Sequence, residues 1–266
     1  MELNYIKDCK SQKKTNMGRL IFILGDTGTG KSSSISPPVE AEWSVVENLD
    51  AEAHKGLNPE STFIINVQSG KDLPFKGSKK MYNKENKNYA ETRDTDTIIA
   101  ILKKIDADTT GRIKEVIIDD FQYQMSFLMY DHLEASKLTW DSYKIFSVNW
   151  YKIFKTVQSM TRNVNVFILS HTDLRKLPGG EVQRGIKTVG QMTEQQMVPE
   201  GMASVVLYTH VMPGKSKKEK IPRSEYYFVT NQWNNYPAKS PSGMFEEVLI
   251  PNSLYLVSKT ISSFYN

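Results

Sequence analysis

The feature that most constrains this chain is an apolar run that leads directly into a glycine-rich segment ending in lysine and serine. Residues 19–32 read RLIFILGDTGTGKS. The apolar run is typical of a buried strand, and the glycines let backbone N–H groups turn inward around an anion without an obstructing Cβ. This spacing is that of a phosphate-binding loop, or P-loop, and predicts binding of a nucleoside triphosphate. The alternative is a chance match in an ordinary glycine-rich turn, and the preceding strand and the Lys-Ser pair argue against it.

The loop positions have distinct predicted contacts with the triphosphate. Lys31 provides a positive charge for the β and γ phosphates, and the Ser32 hydroxyl provides a ligand for Mg²⁺. A helix that begins near Gly30 would add the positive end of its dipole. ATP and Mg²⁺ are therefore the predicted cofactors. The predicted nucleotide-binding residues of the loop are Gly25, Asp26, Thr27, Gly28, Thr29, Gly30, Lys31, Ser32 and Ser33.

Length and composition are those of one globular unit. The 266 residues are 39% hydrophobic, which suffices for a single domain over residues 19–266 after a polar N-terminal extension, residues 1–18. Cys9 is the single cysteine and excludes an intramolecular disulfide. No apolar stretch approaches the roughly 18 residues that span a bilayer, and the extension lacks an apolar signal region, so we expect a cytoplasmic protein without a membrane partner. The net charge of +4 does not by itself indicate nucleic acid.

Short apolar runs alternate with longer amphipathic stretches, which predicts an α/β fold with a mainly parallel central sheet flanked by helices. Between Phe146 and Met160, apolar residues recur every three or four positions and indicate one buried helix face. Two late runs, 205–212 and 225–231, predict a C-terminal β-hairpin with a charged tip over residues 213–224. The candidate core strands are 20–24, 62–67, 116–119, 164–170 and 203–209.

A second acidic site is predicted at the end of another apolar run, EVIIDDF, residues 115–121. Asp119 is the expected carboxylate that holds the Mg²⁺ shell together with Ser32. Asp120 lies where many P-loop ATPases keep the acid that orients the attacking water. Simple capping of a strand end by the two carboxylates is the alternative interpretation.

A further strand, VNVFILSHTD, ends in polar residues at the edge of the sheet where ligands bind in such folds. Ser170 or His171 could therefore hydrogen-bond the γ phosphate or the attacking water and sense hydrolysis. An ordinary histidine with satisfied hydrogen bonds is the alternative for His171, and no proton transfer is assigned to it.

Five segments between about residue 20 and the C-terminus carry a wider resemblance: GDTGTGKS, TFIINVQSGKDLPFKG, EVIIDDFQY, IKTVGQM and AKSPSGMFEEVLIPNSL. Together they resemble bacteriophage P-loop ATPases with a RecA-like core, a family associated with DNA recombination and single-strand annealing. The resemblance implies an ATPase of the RecA or AAA-like branch, working in phage DNA metabolism in the host cytoplasm. It also implies a homo-oligomer on single-stranded DNA, and phage recombination or replication proteins as partners.

Two features differ from that family. Pro37 and Pro38 shorten the helix after the P-loop and begin an insertion over residues 37–56, for which an extra helix above the nucleotide is one interpretation. The strand at 62–67 also lacks a glutamate at its end, where RecA proteins usually keep their catalytic acid. The expected catalytic role therefore shifts to Asp120.

ATP bound between subunits often receives a cation from the neighbouring copy. Lys187, in IKTVG, and Lys239, in AKSP, are the candidates for that role, because each follows the core strands within a segment that carries the resemblance. A sensor role in the same subunit and an ordinary solvated lysine are the alternatives for both.

Nucleic-acid binding is predicted from basic loops that contain aromatic residues. Residues 71–93 have an excess of positive charge and include two tyrosines, which suits stacking of single-stranded bases, and the hairpin tip adds more lysines. A solvated loop is the alternative. The predicted DNA-binding residues are Lys76, Lys79, Lys80, Tyr82, Lys84, Lys215, Lys217 and Lys218.

Other classes of P-loop protein fit the sequence less well. A GTPase is disfavoured because no NKxD motif follows the strand that ends at Asp119. A small-molecule kinase usually has an arginine-rich lid, whereas the seven arginines of this chain are scattered. A third possibility is an ATP-dependent switch that hydrolyses slowly if at all and binds a partner protein through the hairpin and the C-terminal region. The missing glutamate keeps this alternative open.

Overall fold

The computed structural model describes residues 18–67, 70–176, 179–190, 193, 197–214 and 223–265. The strands are β1 (Arg19–Leu24), β2 (Thr62–Asn66), β3 (Tyr89–Glu91), β4 (Glu115–Asp119), β5 (Asn165–Ser170), β6 (Thr172–Lys176), β7 (Val182–Ile186), β8 (Val205–Pro213), β9 (Ser224–Val229) and β10 (Leu249–Pro251). The α-helices are α1 (Ser78–Met81), α2 (Thr95–Ala107), α3 (Gln122–Glu134), α4 (Trp140–Gln158), α5 (Pro199–Met202) and α6 (Leu254–Tyr265).

Eight of these strands form one sheet in the order β10-β9-β8-β1-β5-β4-β2-β3. The six strands from β8 to β3 are parallel, whereas β9 and β10 are antiparallel additions at one edge. The five predicted core strands all lie in the parallel part. The prediction of an α/β fold with a mainly parallel sheet flanked by helices is therefore confirmed at that level.

Both faces of the sheet are covered, which is why its central strands read as continuous apolar runs. Side chains on one face, such as Phe22 and Ile168, pack against α2, α3 and α4. Their neighbours on the other face, such as Ile21 and Phe167, pack against α6 and the segment near Leu73. The predicted apolar stripe before β5 is the buried face of α4, and it includes Trp150.

The segment after the P-loop differs from the prediction. In place of an α-helix from Gly30, the chain makes a single turn of 3₁₀-helix, Ser32–Ile35, because Pro37 and Pro38 follow at once. Residues 37–56 form turns, so the interpretation of this insertion as an extra helix is also wrong. The P-loop is therefore followed by a short 3₁₀ turn and not by the long helix that the motif predicts.

The predicted C-terminal hairpin is observed as antiparallel pairing of β8 with β9, for example His210 with Tyr227. Most of its charged tip, residues 215–222, lies outside the described residues, as do residues 1–17 of the N-terminal extension. A second hairpin, β6 with β7, was not predicted and directly follows His171. Within the described ranges, every helix is too short or too polar to cross a membrane.

Candidate functional site

The P-loop, the acidic pair and His171 converge because their strands are neighbours in the sheet. β1 pairs with β5, and β5 pairs with β4, all in parallel, so their carboxyl ends meet at one edge. A cavity of about 330 Å³, which we call the phosphate cavity after the P-loop that lines it, lies at this edge. It is lined by the P-loop and by Lys71, Asp72, Pro74, Asp119, Asp120, His171 and Tyr226.

Lys31 is held inside the loop by the loop's own backbone. Its Nζ donates to the carbonyl oxygens of Gly25, at 2.8 Å, and Asp26, at 2.9 Å. Burial lowers the pKa of Lys31 to about 8, although the carboxylates of Asp120 and Asp119 act in the opposite direction. A phosphate oxygen that replaced one carbonyl would find a preorganised ammonium group with little water around it.

Ser32 and Asp119 provide a pair of oxygen ligands. The Ser32 hydroxyl donates to Oδ1 of Asp119 at 2.8 Å. Burial, followed by repulsion from Asp120, raises the pKa of Asp119 to about 6. A hard divalent cation such as Mg²⁺ prefers oxygen ligands and would relieve this repulsion, so the donor set fits Mg²⁺. The ion would neutralise charge on the phosphates.

Asp120 lies at the centre of a charged cluster. Its Oδ2 is 3.3 Å from Nζ of Lys71, and its Oδ1 is 3.7 Å from Nε2 of His171. Its backbone N–H donates to Oδ1 of Asp119 at 3.1 Å. The residue is buried, and its φ of 56° is in the left-handed region, which aspartate tolerates better than most residues. This backbone turn, directly after β4, brings Asp120 to the cavity wall.

Ser170 and His171, predicted together, have different surroundings. Ser170 is fully buried, and its hydroxyl donates to Oε1 of Gln122 at 3.3 Å. His171 lines the cavity, and its Nδ1 is 3.4 Å from Oγ1 of Thr27 in the P-loop. Its backbone N–H donates to the same Gln122 oxygen at 3.1 Å. Of the two, His171 is the residue in contact with the phosphate cavity.

Two other loop residues, Asp26 and Thr29, stabilise the conformation of the loop. Asp26 accepts hydrogen bonds from Thr172 and, at 2.7 Å, from Nη1 of Arg184 on β7. Burial alone would raise the pKa of Asp26, but these two partners lower it below its usual value. Thr29 donates to the Asp26 carbonyl at 2.7 Å and accepts from the Thr209 hydroxyl at 2.6 Å. The loop is thus connected to β8 and to the second hairpin.

Lys187 and Lys239 are not part of the cavity lining. The side chains of both are exposed, and the backbone N–H of Lys187 donates to the carbonyl of His171 at 2.8 Å. Lys239 forms an isolated bridge with Val206, and partial burial lowers its pKa. Their predicted action across a subunit interface stays a prediction.

The predicted DNA-binding residues have different exposures. Lys76, Lys80 and Lys84 are exposed, and Lys79 pairs with Asp72 at 2.9 Å. Tyr82 is only 4% exposed, and its hydroxyl donates to the carbonyl of Leu57. The expectation that Tyr82 stacks on bases is wrong, because its ring is buried with Leu57 and Leu73 in the core on the α6 side of the sheet. Lys215, Lys217 and Lys218 lie outside the described residues.

Sequence reasoning missed three contributors to the site. Lys71 belongs to the basic run at residues 71–93, and the structure places its Nζ 3.3 Å from Oδ2 of Asp120. Gln122 connects the ends of β4 and β5, and Tyr226 on β9 contacts the P-loop near Gly30. No spacing rule connects these residues to the loop, although the position of Gln122 directly after the acidic pair was a usable signal.

Comparison with protein-family models finds no match for this chain, and comparison with curated proteins finds no similar sequence.

Proposed function

We propose that this protein is a Mg²⁺-dependent ATPase with a RecA-like core that acts on single-stranded DNA in phage recombination or annealing. One observation carries the enzymatic part: Lys31, the Ser32–Asp119 pair and Asp120 line one cavity at the carboxyl edge of a parallel sheet. A cation for phosphate, oxygen ligands for Mg²⁺ and a carboxylate are the groups that phosphoryl transfer to water requires.

The proposed roles follow from the contacts. The loop N–H groups and Lys31 bind the phosphates, Ser32 and Asp119 hold Mg²⁺, and Asp120 orients the attacking water. Lys71 and His171 keep Asp120 in position at 3.3 Å and 3.7 Å. The strand order is compatible with a RecA-like core, and the DNA and phage parts of the proposal depend on the sequence resemblance alone.

A slow switch is the second candidate, and a specific observation favours it. The end of β2 carries Asn66, not a glutamate, and Asn66 is buried, with its amide donating to the Tyr89 hydroxyl and the Lys71 carbonyl. If Asp120 only stabilises the cluster with Lys71 and His171, the protein would bind ATP and turn it over slowly.

The test is Mg²⁺-dependent phosphate release from ATP, with and without single-stranded DNA. We expect Lys31→Ala to abolish binding and turnover, and Asp120→Asn to retain binding but to lose roughly 100-fold or more in turnover. Asp173→Asn is the matched control, because Asp173 is exposed near the same edge but outside the cavity. Tight ATP binding with no turnover in the wild type would favour the switch, and turnover only with an added acceptor would indicate a kinase.

A further inference from the structure

A second, larger cavity adjoins the phosphate cavity, and its position extends the proposed nucleotide site. Its volume is about 620 Å³, and it shares Ser33 and Tyr226 with the phosphate cavity. Ser33 directly follows the P-loop residues that would contact the β and γ phosphates. The α phosphate of a bound nucleotide would therefore lie near Ser33, and its ribose and base would extend toward this cavity. A cavity of this size accommodates a nucleoside.

The walls of this cavity are fixed by hydrogen bonds between the insertion at 37–56 and β9. The indole Nε1 of Trp43 donates to the carbonyl of Tyr226 at 2.6 Å. The backbone N–H and the hydroxyl of Ser44 both donate to Oε2 of Glu225, at 3.0 Å and 2.8 Å. The insertion therefore forms a stable outer wall opposite the P-loop.

Tyr226 lies between the two cavities. A Cβ placed on Gly30 would be 3.0 Å from Cδ1 of Tyr226, so the ring lies directly against the P-loop. The side chain is 36% exposed, although its neighbour in the sequence Tyr227 is fully buried. An aromatic ring that keeps an accessible face beside a phosphate site can stack on a base.

Asn252 supplies the polar group. The residue lines the same cavity and is 4% exposed. Within the described part of the chain, its Nδ2 is buried and makes no hydrogen bond. A buried amide without an acceptor is costly and is usually satisfied by a ligand or water. Its Oδ1 faces the P-loop, 3.4 Å from the position of a Cβ on Gly30.

We infer that this cavity binds the base of the nucleotide, and that it selects adenine through Tyr226 and Asn252. A primary amide has one donor group and one acceptor, which matches the N6 amino group and a ring nitrogen of adenine. Guanine presents two acceptors, O6 and N7, on the corresponding edge, so one of them would oppose the amide oxygen. The inference rests on the proposed function, because it requires a nucleotide whose phosphates occupy the P-loop.

The test compares binding of ATP, GTP and inorganic tripolyphosphate to the full chain, by competition with a fluorescent nucleotide. Asn252→Asp has nearly the same shape but replaces the donor with an acceptor, and Tyr226→Leu removes the ring. We expect each to weaken ATP roughly 10- to 100-fold and to lower the preference for ATP over GTP. Tripolyphosphate binding falls by much less than ATP binding in each variant, which also demonstrates that the variants fold. Asn234→Asp, on an exposed turn, is the matched control.

The outcomes separate the two proposals. A wild type that binds ATP, with Asn252→Asp and Tyr226→Leu both unchanged in affinity and in ATP preference, overturns the base pocket and leaves the proposed function standing. Equal loss of ATP and tripolyphosphate in both variants overturns it too, because the residues would then act on the P-loop. A wild type that binds neither ATP nor tripolyphosphate overturns both proposals.

Discussion

Lys71 is the residue whose role depends most on the three-dimensional structure. Its Nζ lies 3.3 Å from Oδ2 of Asp120 and 5.4 Å from the centre of the Tyr123 ring. Its side chain is still 56% exposed, so part of it faces the phosphate cavity that it lines. A cation in this position can stabilise the negative charge that develops on a phosphoryl group during its transfer.

We therefore predict that Lys71→Ala slows ATP turnover by roughly 10-fold or more, while Lys71→Arg keeps most of the activity because the charge remains. The measurement is steady-state phosphate release at saturating ATP. Lys80→Ala is the control, since Lys80 is exposed and does not line the phosphate cavity. Equal turnover in Lys71→Ala and the wild type would contradict the assignment.

Single residues differ in how well the sequence predicts them. Lys31 and Ser32 belong to a local pattern whose chemistry is fixed by spacing, and Asp119 follows an apolar run at a strand end. Tyr226 and Asn252 join the loop only through the arrangement of β9 and β10 beside β8, which no local pattern encodes. Residues that lie some 200 positions apart in the sequence come into contact only through tertiary packing.

Tyr82 is a residue whose predicted role the structure contradicts. An aromatic residue in a basic run predicts a stacking surface, but burial of Tyr82 among Leu57, Leu73 and their neighbours provides more apolar contact than exposure would. Charge and aromatic content describe composition, whereas the direction of a side chain depends on the turn that carries it.

At the scale of elements, the central parallel strands were predictable, whereas the β6–β7 hairpin and the form of the segment after the P-loop were not. Strands buried on both faces have to be apolar throughout, so their positions follow from the sequence. The usual geometry of the motif predicts a helix after the P-loop, but Pro37 and Pro38 limit this segment to one 3₁₀ turn. Since Pro37 and Pro38 also line the second cavity, the shortened helix leaves room for it.

The start of β4 provides a test of how a buried carboxylate affects stability. Glu115 accepts hydrogen bonds from Ser258 on α6, at 2.9 Å, and from Ser61, at 3.3 Å. Burial nevertheless raises the pKa of Glu115 above its usual value, more than these bonds lower it. The folded state thus binds the proton of Glu115 more tightly than the unfolded state does.

A raised pKa in the folded state means that ionisation of Glu115 costs stability as pH increases from the unfolded-state pKa toward the folded-state pKa. We predict that the free energy of unfolding of Glu115→Gln increases relative to that of the wild type as the pH rises from 4 to 7. Urea denaturation at several pH values measures this difference. A difference that is constant over this range would contradict the prediction.

Asp94, which caps α2, provides a control because folding shifts its pKa in the opposite direction. The hydroxyl of Thr97, and then its backbone N–H, lower the pKa of Asp94 by hydrogen bonding. Its contribution is present above the unfolded-state pKa and is lost as pH falls through the folded-state pKa. Asp94→Asn should therefore lose stability relative to the wild type as pH rises through the region near 4, opposite to Glu115→Gln.

On the scale of the whole molecule, one segment of the chain joins the proposed nucleotide site to the proposed DNA surface. The phosphate cavity lies at the carboxyl edge, and the segment from Gly70 to Glu91 connects it to an exposed basic region. Lys71 belongs to the cavity at one end of this segment, while Lys76, Lys80 and Lys84 extend into solvent. A nucleic acid bound there would be adjacent to Asp120 through Lys71.

This arrangement leads to a prediction about single-stranded DNA. Replacing Lys76, Lys80 and Lys84 together by alanine should weaken binding to an oligonucleotide. It should also reduce the slope of log affinity against log salt by about 2, since each phosphate contact on a single strand contributes about 0.7. Fluorescence anisotropy of a labelled oligonucleotide over a series of salt concentrations measures both quantities.

The matched control removes the same charge from the exposed face of α4, with Lys144, Lys152 and Lys155 replaced by alanine. An equal change of slope in both triple variants would mean that only net charge matters, and would reject a defined DNA surface beside the nucleotide site.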